Sequence, residues 1–186
     1  MIAIVGSSGS LLKHQYGSFI DSHANVLRFN AAPTKGYEKH VGVRTGERWI
    51  AYHGEDYDLK DENIVLYSYN QKALREGAAK LQGNKIRILD TDFIRDCDNM
   101  IGKPYWKWRL MPGRIIINKQ MSSTGLKSII YFSNFSKINL FGFNPDLQYR
   151  YYEKNKAGHS FEISHSRQKE NQIIQRLVDE GKIKIF

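Results

Sequence analysis

With 186 residues, 41% hydrophobic and 12% aromatic, the chain can form one domain with a sizeable core and is too apolar to be disordered. Lys and Arg number 28 against 19 Asp and Glu, so the formal net charge of +9 favours anionic partners. Cys97 is the only cysteine, which excludes an intrachain disulfide, and no apolar run has the length of a membrane span or the pattern of a signal peptide.

In chain order, the short apolar run Ile2–Val5 predicts a buried strand, followed at once by the Gly6-Ser7-Ser8-Gly9-Ser10 turn. Asn25–Phe29, Arg48–Tyr52 and Ile64–Tyr69 read as further strands. Gln71–Leu81 has helical composition with Gly83 beyond it as a stop, and Ile86–Leu89 is a short strand. Arg114–Ile117 is a strand after the Pro112-Gly113 turn. Thr124–Phe135 is a helix and Ile138–Phe141 a strand ending at Gly142. Ile173, Ile174, Leu177 and Val178 share one face of a final helix closed by Gly181, and Ile183–Phe186 is a last strand. Strands separated by helices predict an α/β fold: one Rossmann-like domain over residues 1–186, with a mostly parallel sheet flanked by helices.

Charge is unevenly spread. No Asp or Glu lies between Asp98 and Asp146, whereas Lys103, Lys107, Arg109, Arg114, Lys119, Lys127 and Lys137 do, which predicts a positive field there. The partners it suits are a nucleotide sugar, an anionic glycan or glycolipid, or nucleic acid; a solvated basic face is the plain alternative. The Lys103–Met111 segment, with Tyr105, Trp106 and Trp108, suits core packing, sugar or membrane-interface contact, or single-stranded nucleic acid. Asp90-Thr91-Asp92 has the D-x-D form that holds a divalent cation on a diphosphate donor, but nearby Asp96 and Asp98 point to an acidic helix start or turn.

Four further patterns carry chemistry. A Gly/Ser turn after a strand places small hydroxyls and backbone N–H groups where a phosphate binds, although Gly6–Ser10 read alone is equally an ordinary turn. Neither G-x-G-x-x-G nor G-x-x-x-x-G-K-[ST] is present. Ser123 or Thr124 can cap a helix whose start favours a carboxylate or phosphate, and Gly125 permits close approach. Arg150-Tyr151-Tyr152-Glu153 joins a permanent cation to aromatics. His165, with Glu170 after four intervening residues, offers a base with a suitable pKa near neutral pH.

In order, the segments Val5–Leu11, Tyr16–His23, Leu27–Glu38 and Val41–Thr45, then Ser122–Phe143, Arg150–Glu153 and His165–Glu170, resemble the large, small, third and very small sialyl motifs of the family 29 glycosyltransferases. The resemblance covers the N-terminal third and most of Ser122–Glu170, and leaves about Tyr52 to Met121 without a motif. It implies a type-A glycosyltransferase variant that needs no metal and moves sialic acid, or a related acidic sugar, from a CMP-sugar to a hydroxyl of a glycan or glycolipid. It implies donor binding by Gly6, Ser7, Ser8, Gly9, Ser10, Asn30, Ser123, Thr124, Gly125 and Tyr151. It implies leaving-phosphate stabilisation by Arg150, a catalytic base in His165 and support from Glu170; Asp21 and His23 are read as structural. The family has Asn where Ser7 and Ser10 stand, and His or Tyr where Arg150 stands. Its cysteine pair falls near Ile2 and Phe135, which implies packing in place of the staple. The chain is read as cytoplasmic in type and at most peripheral to a membrane. The alternative is a basic nucleotide- or nucleic-acid-binding domain that keeps the fold without the reaction.

Overall fold

The computed structural model describes residues 1–60, 62–101, 121–143, 149–153 and 167–186. Seven strands are described: β1 (Ile2–Val5), β2 (Asn25–Phe29), β3 (Glu47–Ala51), β4 (Asn63–Tyr67), β5 (Lys85–Ile88), β6 (Ile138–Phe141) and β7 (Ile183–Ile185). They form one sheet in the order β5-β4-β3-β2-β1-β6-β7, with every neighbouring pair parallel. The helices are α1 (Gly17–Asp21), α2 (Glu38–Val41), α3 (Gln71–Lys80), α4 (Thr91–Met100), α5 (Thr124–Ser133) and α6 (Arg167–Asp179), with a 3-10 turn at Gly9–Lys13. The expected strand Arg114–Ile117 and the aromatic-basic segment Lys103–Met111 lie outside the described residues.

Alternating side chains give the sheet two buried faces, as a parallel sheet requires. Ile4, Leu27, Trp49, Val65, Tyr67 and Leu140 face one layer, which includes Ile94, Leu126, Ile129 and Ile174 of α4, α5 and α6. Ala3, Val5, Val26 and Phe141 face the other with Leu11, Ile20 and Val41, and Ile50, Ile64 and Leu66 extend that face toward Leu74 of α3. The helices end where the sequence marks them. Asn70 Oδ1 accepts the Lys72 N–H at 2.8 Å to start α3, and Gly83 takes the left-handed conformation just beyond it, at φ 93°.

The acidic run after β5 is α4, so of the expected acidic helix start or turn it is the helix start that forms. Asp90 caps the helix, accepting the Asp92 N–H at 3.2 Å, and Asp92 pairs with Arg95 at 2.9 Å. Both D-x-D carboxylates thus serve the exposed start of a helix. Ile94, Cys97, Asp98 and Ile101 form its buried stripe. Among the described residues no group of three or more His, Cys, Asp or Glu side chains could hold a metal ion, and no helix is long and apolar enough to cross a membrane.

Two sequence expectations change here. Lys127 contributes nothing to an exposed basic face: it is 0% exposed and paired with Asp98, while Lys137 is exposed. Lys103, Lys107, Arg109, Arg114 and Lys119 lie outside the described residues. Phe135 does not replace a staple by packing, because it is 74% exposed and meets the Tyr131 ring. The ladder joins the two segments instead, with Ile2 opposite Ile138 and the Ile2 N–H donating to the Lys137 carbonyl at 3.1 Å.

The chain builds outward from β1 to β5 and then returns to place β6 on the other side of β1. The carboxyl ends of β1 and β6 therefore flank a topological switch point, the place where open α/β sheets bind ligands.

Candidate functional site

Gly6 leaves β1 with its N–H donating to the Phe141 carbonyl at 2.7 Å, and the Ser8 N–H donates to Gly142 O at 3.3 Å. A Cβ on Gly6 would sit 2.5 Å from Gly142 O, so this glycine lets the neighbouring strand end approach closely. Gly9 likewise yields room to the Tyr149 ring, and Gly125 to Phe143, whose ring would lie 2.9 Å from an added Cβ. Ser8 Oγ accepts the Ser10 N–H at 3.2 Å and starts the 3-10 turn. The hydroxyls of Ser7 and Ser10 remain partly open.

The third motif is laid directly on this loop. Ser8 and Arg150 form an antiparallel bridge, the Gly9 N–H donates to Tyr149 O at 3.0 Å, and the Tyr151 N–H donates to Ser7 O at 2.8 Å. The Arg150 guanidinium is partly open, held by Glu153 at 3.1 Å and lying over the Tyr152 ring. Tyr151 was expected at the donor, but its ring is 3% exposed and its hydroxyl donates to the Pro33 carbonyl at 2.5 Å. Burial pushes that phenol up to about 12. Tyr151 therefore supports the loop from beneath.

Asn30 follows β2 in a left-handed conformation, φ 45°, and is the one non-glycine residue with positive φ among those described. Its N–H donates to Trp49 O at 2.9 Å, and its carbonyl accepts from the Arg48 guanidinium at 2.7 Å. Arg48 is itself held by Glu62 at 2.5 and 3.0 Å, so a half-buried ion pair fixes the Asn30 backbone. The side-chain amide nitrogen of Asn30 has no partner among the described residues.

Ser123 caps α5: its Oγ accepts the Leu126 N–H at 3.0 Å. Glu170, in the first turn of α6, accepts the Ser123 N–H at 2.6 Å and the Ser123 hydroxyl at 2.7 Å. Burial raises the Glu170 pKa above the usual carboxyl range, against the pull of these hydrogen bonds. Thr124 Oγ1 shares a hydrogen bond of 2.8 Å with the buried Tyr67 hydroxyl. The N–H groups of Thr124 and Gly125 have no partner among the described residues, as expected of the first turn of a helix.

Phe143 connects these pieces. Its ring meets Phe29 edge-on at 6.2 Å, lies 3.1 Å from where a Gly6 Cβ would stand, and covers Gly125. The ends of β1, β2 and β6 and the start of α5 therefore surround one side chain, at the switch point. A cavity of about 500 Å³ opens beside Ser10 and Phe143, walled by His14, Tyr16, Asn171 and Phe186. Gly6, Asn30 and Ser123 do not line it. His165 lies outside the described residues, two positions before α6 begins at Arg167.

Asp21 and His23 are structural, as read. Asp21 accepts the N–H groups of Val43 and Arg44 at 2.9 Å each, with a second contact to Val43 at 3.1 Å. His23 Nδ1 donates to the Phe19 and Ile20 carbonyls and Nε2 meets the Asn139 side-chain amide at 2.8 Å, which holds the ring in a buried position. Sequence reasoning missed Arg48, Glu62, Asp98 and Phe143. The one signal pointing at Phe143 was its place at the end of the Ser122–Phe143 segment.

The comparisons agree with this geometry. Residues 2–55 and 58–182 match glycosyltransferase family 29 (sialyltransferase), so the likeness also runs through the middle region that carried no motif. A CMP-N-acetylneuraminate-beta-galactosamide-alpha-2,3-sialyltransferase 1 from Gallus gallus is 30% identical over 99% of this chain and 57% of its own length. Its Homo sapiens counterpart is 28% identical over the same shares. The chain thus spans a little over half the length of these curated relatives. A mammalian sialyltransferase crystal structure superposes with a TM-score of 0.75 at 27% identity, covering 100% of this chain and 68% of that one. The sialyltransferase CST-II, at 16% identity and a TM-score of 0.54, shares the fold. With residues 2–55 and 58–182 matched, nearly its whole length, the chain belongs to glycosyltransferase family 29.

Proposed function

We propose that the chain is a sialyltransferase-type glycosyltransferase that moves sialic acid, or a related acidic sugar, from a CMP-sugar to a hydroxyl of a glycan or glycolipid. The observation that carries this reading is the meeting of Gly6–Ser10, Asn30, Ser123–Gly125 and Arg150 at the carboxyl ends of β1, β2 and β6. In this reading Ser7, Ser10, Asn30 and the first N–H groups of α5 hold the donor. Arg150 lies beside the loop and stabilises charge developing on the leaving phosphate. Tyr151 and Glu170 position the loop and the helix start.

The step is a single inverting displacement. The acceptor oxygen attacks the anomeric carbon from the face opposite CMP, the bond to the phosphate breaks, and CMP leaves with the electron pair. His165 takes the acceptor hydroxyl proton. No metal is needed, because the donor carries a monophosphate and Arg150 supplies a fixed cation. One glycosyltransferase domain over residues 1–186, working in a reducing compartment, completes the reading; the lone Cys97, buried in α4, suits it.

Transfer from CMP-sialic acid to a β-galactoside, followed with His165→Ala beside the wild type, tests the mechanism. The variant is expected to lose transfer while binding CMP within about twofold of wild type; full transfer by the variant contradicts the assignment of the base.

A further inference from the structure

The strongest unassigned feature is a charged cluster buried beneath the start of α5. Lys127 is 0% exposed and Asp98 is 2% exposed, one on α5 and the other on α4. Lys127 Nζ lies 3.4 Å from Asp98 Oδ1, donates to Ser122 Oγ at 2.7 Å and also donates to the Ser122 carbonyl. Asp98 in turn accepts the Ser122 N–H at 2.9 Å, the Ser122 hydroxyl at 2.5 Å and the Tyr69 hydroxyl at 2.9 Å. Every polar group of Ser122 is therefore held by one of two buried opposite charges. The rings of Tyr67 and Tyr69 lie 5.2 and 5.6 Å from the ammonium.

A buried ion pair is a poor source of net stability, because desolvation offsets the attraction. What this pair does supply is direction. Ser122 is gripped by α4 and α5, Ser123 by Glu170 of α6, and Thr124 by Tyr67 of β4. Three successive residues are pinned from four elements, and the next N–H groups, of Thr124 and Gly125, are left without a partner among the described residues.

We propose that Asp98 and Lys127 are positioning residues that act through Ser122 to aim the Thr124 and Gly125 N–H groups at an oxyanion of the donor, its phosphate or its sugar carboxylate. This rests on reading Ser123–Gly125 as a donor contact. Neither residue touches the donor, and each works by fixing the turn that does.

Calorimetric titration of the wild-type chain, Lys127→Met and Ser122→Ala, with cytidine, CMP and CMP-sialic acid in EDTA, tests this. Ser122→Ala removes only the hydroxyl that links the two charges, so it decides the matter if Lys127→Met does not fold. Each variant is expected to bind an oxyanionic ligand about tenfold more weakly while cytidine affinity stays within about twofold. A loss that first appears between cytidine and CMP assigns the phosphate; one that first appears between CMP and CMP-sialic acid assigns the carboxylate. Equal weakening of all three ligands, or no weakening at all, overturns the inference, since a general structural role would not single out the anion. A wild-type chain that binds none of the three overturns the donor reading itself, and this inference with it.

Discussion

The backbone N–H and the hydroxyl of Ser123 both donate to the Glu170 carboxylate, at 2.6 and 2.7 Å, and so tie the start of α5 to the first turn of α6. The same hydroxyl caps α5 by accepting from Leu126. Ser123→Ala removes the cap and one of the two donors to a buried carboxylate. The expected loss is about 2 kcal/mol of unfolding free energy in urea. Ser123→Thr keeps the hydroxyl and is expected to lose less than half as much.

Glu170 also makes stability depend on pH in an unusual direction. Burial raises its pKa above the ordinary 4.5, so the folded chain binds this proton more readily than the unfolded one. Its contribution is fully present below pH 4.5 and is lost as pH rises through the raised folded value. Glu170→Gln does not titrate. The wild type is therefore expected to lose stability relative to Glu170→Gln as pH rises above about 4.5, read as the difference in thermal midpoints across a pH series. A constant difference would show that Glu170 titrates normally.

Gly6 tests the strand junction beneath the loop. An alanine Cβ would stand 2.5 Å from the Gly142 carbonyl and 3.1 Å from the Phe143 ring. Gly6→Ala must push β1 and β6 apart where the motif segments meet, at an expected cost of about 1–3 kcal/mol. CMP affinity is expected to fall alongside stability.

Much of this arrangement was legible in the sequence, for identifiable reasons. β1, β2, β6 and α5 are short, strongly apolar or capped segments that carry the motifs, and their bounds agree with the sequence reading to within two residues. The extent of α4 was not legible. Aspartate is a poor helix former, and four of them between Asp90 and Asp98 hid the spacing of Ile94, Cys97 and Ile101. Lys127 was misread for a related reason: a lysine in a basic stretch reads as surface, and only the distant Asp98 gives it a buried partner. Tyr151 and Gly6 sit in the expected motifs, but their contacts run to Pro33 and Gly142, pairings that a linear pattern does not reveal.

Cys97 gives an independent check on α4. It is 1% exposed, and burial pushes its thiol up to about 12, despite the nearby Lys127 charge. A neutral, covered thiol reacts slowly. The native chain at pH 8 is expected to resist a disulfide reagent at least tenfold longer than the urea-unfolded chain. Equal rates would contradict the packing of α4.

The most direct test of the central claim is titration with CMP and CMP-sialic acid in the presence of EDTA, alongside UDP, GDP and a short DNA strand. The account predicts selective, metal-independent binding of the cytidine nucleotides. No CMP binding, together with tight DNA binding that weakens steeply with salt, would contradict it and make the chain a basic nucleic-acid-binding member of its fold.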